Sequence, residues 1–282
     1  MENNKNKKKI IPIIISMIIL IMAILLIPYS RSLIITRGYK AINKGDSVLL
    51  KDSISFIVPS GKSTPRKDWF PQMIWYHDAG GFSKYMQKNL DMTVLYSFGD
   101  FNSPIGTSTY YDDASPYYGA FYGGYAIKNM DEPSEAFGFD SEGFIISEDV
   151  EKLPLYDQKY LVLPALGCPQ GNRVFITEEN KITEDVFYAG YDGWTLVESQ
   201  IYTNGPAHKF KRFNPGYFQY GMPLKPSEGK KDFQPERFYG RMYIRYFDTY
   251  EMTFCLYVMC RDMDALEACE RELLSKTVIT KN

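Results

Sequence analysis

At 282 residues, with 45% hydrophobic and 23% charged side chains, the chain has the apolar content of a folded protein and falls outside the disordered class. Its formal charge of −2 argues against a protein that grips polyanions electrostatically, so nucleic acid is not expected as a partner. Aromatic residues reach 16%, mostly Tyr and Phe, which favours strands over helices.

The chain opens with "MENNKNKKK", in which Lys5, Lys7, Lys8 and Lys9 stand against one acid, and residues 10–28 then run without a charge. Roughly 20 apolar residues at about 1.5 Å each span a hydrocarbon core, whereas the h-region of a cleaved signal peptide has about 7 to 15. The sequence therefore predicts a basic cytoplasmic tail at 1–9, a transmembrane helix at 10–28 and a stalk helix at 29–45. Pro12 falls in the first turn of the span, where a missing N–H costs little, and Pro28 marks its exit. The lysines place the N-terminus in the cytoplasm by the positive-inside rule. Ser30 and Ser32 offer small residues at the spacing a signal peptidase reads, which leaves cleavage after Ser32 open. No Cys follows the run, so the pattern is not that of a lipoprotein anchor.

From residue 46 to 282 the pattern is that of one extracytoplasmic domain. "SVLLKDSISFIVPSG" reads as two strands about Lys51 and Asp52, the second alternating Ile54, Phe56 and Val58. Further strands are expected at 92–98, 119–129, 159–166, 172–177, 193–202, 240–247 and 251–260, with a short helix in "GFSKYMQKNL". In the strand at 119–129, Ala120, Tyr122, Gly124 and Ala126 share one face, and Phe121, Gly123, Tyr125 and Ile127 share the other. The turn "YDGW" is expected to tuck Trp194 against the sheet. At the C-terminus, a strand pair about Asp248, Thr249 and Tyr250 leads into a helix through "RDMDALEACERELLSKTV". Asp262 or Asp264 caps this helix, Leu266, Cys269 and Leu273 form its apolar face, and Glu267 with Arg271 makes an i,i+4 pair. The fold class expected is α+β: a transmembrane helix, then a mainly antiparallel β domain with the C-terminal helix packed on the sheet. The alternative is a mainly β, sandwich-like domain.

The strand "ISFIVPSG" near the start of the domain, and the terminal strand and helix ending in "ELLSKTV", resemble the PsbP-like family. That resemblance implies an antiparallel sheet with covering helices in a domain that binds or assists assembly, and it carries over no catalytic residue.

Chemistry-bearing residues are few. Cys168, Cys255, Cys260 and Cys269 would lie in an oxidising compartment, which allows disulfides. Cys260 shares a strand face with Phe254, Leu256 and Val258, and Cys269 sits on the apolar helix face, so the pair Cys260 and Cys269 is the candidate staple; buried unpaired thiols are the other outcome. The spacings show no C-x-x-C, and no metal site or cofactor is expected. "ALGCPQGNR" resembles the cysteine motif of the envelope L,D-transpeptidases, which implies Cys168 as a nucleophile with His77 or His208 as its base. Leu166 and Gly167 replace the His-Gly pair of that motif. G-x-S-x-G is absent, and the S-x-x-K at "SEGK" lies in a Pro- and Gly-rich loop.

The densest unusual stretch is "TYYDDASPYYGAFYGGY". Tyr110, Tyr111, Tyr117 and Tyr118 precede the strand in a polar, Pro-containing loop, with Asp112 and Asp113 between them. Tyrosine joins a flat apolar face to a hydroxyl, which suits a sugar ring or a protein partner. These six residues are the predicted ligand-binding set, against the alternative of a loop folded over the sheet with its tyrosines half buried. The expected function is a non-catalytic binding or assembly protein of a bacterial cell envelope, acting on a cell-wall glycan or an envelope protein. Two alternatives stand beside it: a cell-envelope hydrolase or transpeptidase built on Cys168, and a structural subunit of a membrane complex. The span offers only Ser16 and Ala23 as small residues for close helix packing.

Overall fold

The computed structural model describes residues 3–26, 47–59, 69–78, 80–102, 107–108, 115–163, 168–204 and 234–281. The expected stalk at 29–45 lies outside them.

Helix α1 (Asn3–Leu26) carries the apolar run and contains Pro12. Residues 11–23 are exposed on every side of it. Among the described residues no helix is long and apolar enough to cross a membrane. Within α1 the uncharged part is residues 10–26, about 25 Å long at 1.5 Å per residue and shorter than a hydrocarbon core of about 30 Å.

The domain is mixed α and antiparallel β. Its strands are β1 (Ile54–Ile57), β2 (Trp69–Asp78), β3 (Leu90–Asn102), β4 (Thr107–Ser108), β5 (Phe121–Asn129), β6 (Phe175–Tyr188), β7 (Tyr191–Thr203), β8 (Glu236–Phe247), β9 (Met252–Cys260) and β10 (Val278–Lys281). Seven of them form one sheet in the order β2-β3-β5-β9-β8-β7-β6, to which β4 adds beside β3; β1 and β10 pair separately. The helices are α2 (Val48–Lys51), α3 (Gly81–Met86), α4 (Ser147–Tyr156), continued by a π-helical segment Asp157–Val162, and α5 (Met263–Glu272).

The centre of the sheet explains the composition. All nine residues of β9 are buried, because this strand is covered on both faces, and its sequence is accordingly an almost unbroken apolar run. On one face Phe121, Tyr125, Ile127, Cys255 and Tyr257 pack with Phe82 of α3 and Val150, Leu153 and Tyr156 of α4. On the other, Tyr122, Ala126, Phe254, Leu256 and Cys260 pack with Leu266 and Cys269 of α5, with Leu273 just after it, and with Ile54 and Phe56 of β1. The sheet is therefore flanked by helices on both faces, with only a two-strand ladder as a second sheet among the described residues, and the sandwich-like alternative does not hold.

Gly123 and Gly124 let these layers close. A Cβ on Gly123 would lie 2.0 Å from the Leu95 carbonyl oxygen and 2.9 Å from the Tyr257 hydroxyl; one on Gly124 would meet the Phe56 ring at 2.5 Å and the Cys255 carbonyl oxygen at 2.8 Å. Close approach of backbone and ring is thus what the two glycines provide. Trp194 is fully buried, as its sequence context suggests, but the hairpin turns at Ala189 and Gly190, before "YDGW". Both turn residues have positive φ (47° and 83°), the conformation whose twist matches paired strands.

Several expected elements differ. The first of the two N-terminal strands is the helix α2, whose backbone turns on the Ser47 carbonyl: Leu50 and Lys51 N–H groups both donate to it. Residues 157–162 are helical because they extend α4 and bury Leu161 and Val162 against the sheet. The C-terminal helix stops at Glu272, and the chain then makes β10, registered with β1 from Ile54 opposite Lys281 to Ile57 opposite Val278. Asp262, not Asp264, caps α5, accepting the Ala265 N–H at 2.9 Å. Arg271 pairs with the adjacent Glu272 at 3.0 Å, in place of the expected Glu267.

Candidate functional site

Of the tyrosine-loop residues, Tyr110, Tyr111, Asp112 and Asp113 lie outside the described residues. Tyr117 and Tyr118 sit in a turn that delivers the chain to β5. The Tyr117 N–H donates to Ser115 Oγ at 3.2 Å, the Tyr118 N–H to the Ser115 carbonyl at 3.1 Å, and Gly119 takes a φ of +75°. The two neighbours then part. Tyr117 is buried, and its hydroxyl donates to Glu272 Oε2 at 2.7 Å, tying the turn to the end of α5. Burial, helped by that carboxylate, raises the Tyr117 phenol well above its usual range. Tyr117 thus links the loop to the helix. Tyr118 is 49% exposed and keeps its ring in solvent.

Cys168 follows the π-helical segment and is buried, with Sγ donating to the Pro169 carbonyl at 3.7 Å. Arg173 holds this turn, its Nε donating to the Cys168 carbonyl and its Nη1 to that of Lys159, both at 3.1 Å. His77 lies on β2 opposite Thr93, its side chain outside the described residues, and His208 lies wholly outside them. Cys260 and Cys269 do fall in the same core cluster, as their faces predict, but as thiols: no disulfide joins them. The Cys260 Sγ–H donates instead to the Tyr118 carbonyl at 3.5 Å. Burial pushes Cys255, Cys260 and Cys269 above the usual thiol range, which withholds the thiolate that nucleophilic or metal chemistry requires. Among the described residues no group of three or more His, Cys, Asp or Glu could hold a metal ion.

The polar side chains that the fold does assemble lie between α5 and strands β7 and β8. Glu198 of β7 stands directly opposite Arg241 of β8, so their side chains share the face that α5 covers. Arg241 Nε donates to Glu198 Oε1 at 3.1 Å, and its Nη1 donates to Glu270 of α5. Glu270 follows Leu266 by one helical turn, is only 9% exposed, and also accepts the Tyr243 hydroxyl. Tyr188 stacks on Tyr243 with ring centroids 3.6 Å apart and donates to the Glu270 carbonyl at 3.3 Å. Burial raises the phenols of Tyr188 and Tyr243 well above their ordinary range, the Glu270 charge adding to it. For Arg241, burial alone would lower the guanidinium, but the Glu270 and Glu198 carboxylates outweigh it and leave it more basic than usual.

Beside this network the helix leaves part of the sheet uncovered. A cleft of about 520 Å³ opens there, with Lys181, Glu198, Gln200, Tyr239 and Arg241 on its floor and Met263 of α5 on its wall. The floor is rigid, since β6, β7 and β8 are hydrogen-bonded neighbours. Lys181 Nζ donates to Glu198 Oε2 at 3.2 Å, completing a chain of alternating charges across it. Tyr239 is 41% exposed. Elsewhere a wider groove of about 1070 Å³ runs along the 130–146 loop past Asp131, Glu132, Asp140 and Asp248. Its side chains serve the loop: Asn129 Oδ1 accepts from the N–H groups of Asp131 and Glu132, and Asp140 Oδ1 from those of Glu142 and Phe144.

None of the cleft residues stands in the tyrosine-loop set. A signal for them exists in "GRMYIRYF", where Arg241 and Arg245 alternate into the same strand face as Tyr239, Tyr243 and Phe247, and in Glu270 on the apolar side of α5. Comparison with family models, curated proteins and solved structures finds no match, so geometry alone speaks for the site.

Proposed function

We propose that this chain is a single-pass membrane protein with a cytoplasmic N-terminus, whose antiparallel-sheet domain acts outside as a non-catalytic binding or assembly module of a bacterial cell envelope. The observation that carries the proposal is the surface of α1. Ten large apolar side chains from Ile11 to Met22 are each half exposed or more, around the whole circumference of the helix. Burying a side chain of this kind is worth about 1.5–3 kcal/mol in full, so even half that gain over ten residues is of the order of 10 kcal/mol, available once lipid replaces water. In the sequence the uncharged run is nineteen residues, from Ile10 to Pro28, close to the roughly 20 that a membrane span needs. The lysines before it favour the cytoplasmic side for the N-terminus.

A binding role is supported by an open, rigid cleft of ligand size, whose lining is aromatic and hydrogen-bonding. It also agrees with what the PsbP-like resemblance of the two domain ends implies. The partners proposed are the membrane and a cell-wall glycan or envelope protein. Burial of Cys168, which is 2% exposed, weighs against the nucleophile alternative.

Alkaline carbonate extraction of membranes from cells expressing the full chain tests the anchor. The protein is expected in the pellet, and the Ile15→Asp/Ile18→Asp variant, with two charges set within the span, in the supernatant. Wild-type protein released by carbonate would sink the proposal.

A further inference from the structure

We infer that the cleft between α5 and strands β6 to β8 is a saccharide site for a neutral glycan, with Tyr239 as its stacking platform. The inference rests on the binding role proposed above and specifies both place and ligand class.

The charges on the floor determine what the cleft does not take. Arg241 is bonded to Glu198 and Glu270 and lies 4.0 Å from Glu267, and Lys181 is bonded to Glu198, so each cation is already matched by a carboxylate. An anionic ligand would have to draw Arg241 or Lys181 away from these partners, and a cationic one would meet their nearest cations. A neutral ligand rich in hydroxyls faces neither obstacle. It needs donors and acceptors held in fixed planes, which a guanidinium held by the carboxylates of Glu198 and Glu270 supplies, and vicinal hydroxyls match the two-atom spacing of guanidinium and carboxylate edges. Glu198 and Arg241 retain 30% and 21% side-chain exposure, so their remaining hydrogen-bonding capacity faces the cleft.

Tyr239 supplies the second half of sugar recognition. Its register partner is Gln200 on β7 and, on the other side, the buried Cys260 of β9, which fixes the strand from which the ring rises. A pyranose presents a face of C–H bonds, weakly positive at hydrogen, which is attracted to the negative face of an aromatic ring. Met263 offers apolar contact from the wall of the same cleft. At about 520 Å³ the space is within the range of small-molecule sites and suits a short oligosaccharide.

The test is isothermal titration calorimetry of the full chain in a detergent without a sugar headgroup. The probes are the β-1,4-linked trimers of N-acetylglucosamine and of glucose, with trigalacturonate as the charged control. At least one neutral trimer is expected to bind, and at least tenfold more tightly than trigalacturonate. Tyr239→Ala is expected to weaken that binding at least tenfold, while Tyr239→Phe, which keeps the ring, stays within about threefold of wild type. Thermal unfolding of both variants establishes that they fold. Absence of binding by both neutral trimers, tighter binding of trigalacturonate, or unchanged binding by a folded Tyr239→Ala protein would each overturn the saccharide site. Carbonate extraction reads the membrane anchor independently, so failure of the site and failure of the anchor are separate results.

Discussion

Replacing Glu270 with Ala removes the carboxylate on which Arg241 and Tyr243 converge, and the cost can be worked from the geometry. Breaking a buried ion pair by deleting one partner costs about 3–5 kcal/mol, because the remaining charge is left uncompensated. Here Arg241 keeps Glu198 at 3.1 Å and is one-fifth exposed, so the low end, about 3 kcal/mol, applies. The buried Tyr243 hydroxyl also loses its acceptor, which adds about 1 kcal/mol or more. The expected loss is about 4 kcal/mol, equivalent to roughly 8–16 °C in Tm for a domain of this size. Thermal and urea unfolding of the full chain in detergent measure it. Combining Glu270→Ala with Tyr243→Phe removes the orphaned hydroxyl as well, so the double variant should be more stable than the sum of the single losses predicts, by about 1 kcal/mol. A Glu270→Ala protein within 1 kcal/mol of wild type, or strict additivity in the double variant, would refute the buried network as a determinant of stability.

Stability should fall in alkali through Tyr117, Tyr188 and Tyr243, whose phenols are all raised in the fold. Their neutral forms are favoured when folded, so the contribution is complete below the unfolded value near 10; above it the unfolded chain releases protons that the folded chain retains. The raised thiols of Cys255, Cys260 and Cys269 act in the same sense from their unfolded value of about 8.5. Unfolding free energy is then expected to begin falling above about pH 8.5 through the thiols and to fall by about a further 1.4 kcal/mol per pH unit per buried tyrosine from about pH 10 upward, against a flat profile between pH 7 and 8. Gly123→Ala should prevent correct folding, since its Cβ would stand 2.0 Å from a backbone oxygen that cannot yield without breaking the β3–β5 ladder; a soluble variant with wild-type Tm contradicts this. Iodoacetamide at pH 8 should label none of the four cysteines at an appreciable rate in native protein, and all of them in urea. Rapid native labelling of Cys168 would instead favour the nucleophile alternative.

What could be read in the sequence follows from how local the determinants are. The β8–β9 hairpin, α5 and its apolar face, and the two-faced pattern of β5 are set by alternation and capping within a few residues, and these stand as expected. The helix α4 and its π-helical continuation were obscured because "KYLVLPAL" carries strand-like residues, and only the preceding turns of helix decide its conformation. Strand β10 has four residues and no hairpin partner; it exists because β1, more than two hundred residues earlier, lies beside it. The site was less legible for the same reason. Aromatic density drew attention to the loop before β5, yet Tyr117 is buried against α5 by a bond to Glu272, 155 positions away. The cleft depends on Glu198 meeting Arg241 across a ladder and on Met263 of α5 standing beside them, neither of which has a local signature.

The most direct test of the central claim is the sidedness of the domain in the membrane. Protease added to intact spheroplasts expressing the full chain, tagged at both ends, should digest the sheet domain and its C-terminal tag while sparing the short N-terminal tail. A C-terminal tag protected until the membrane is lysed would place the domain inside and contradict the account.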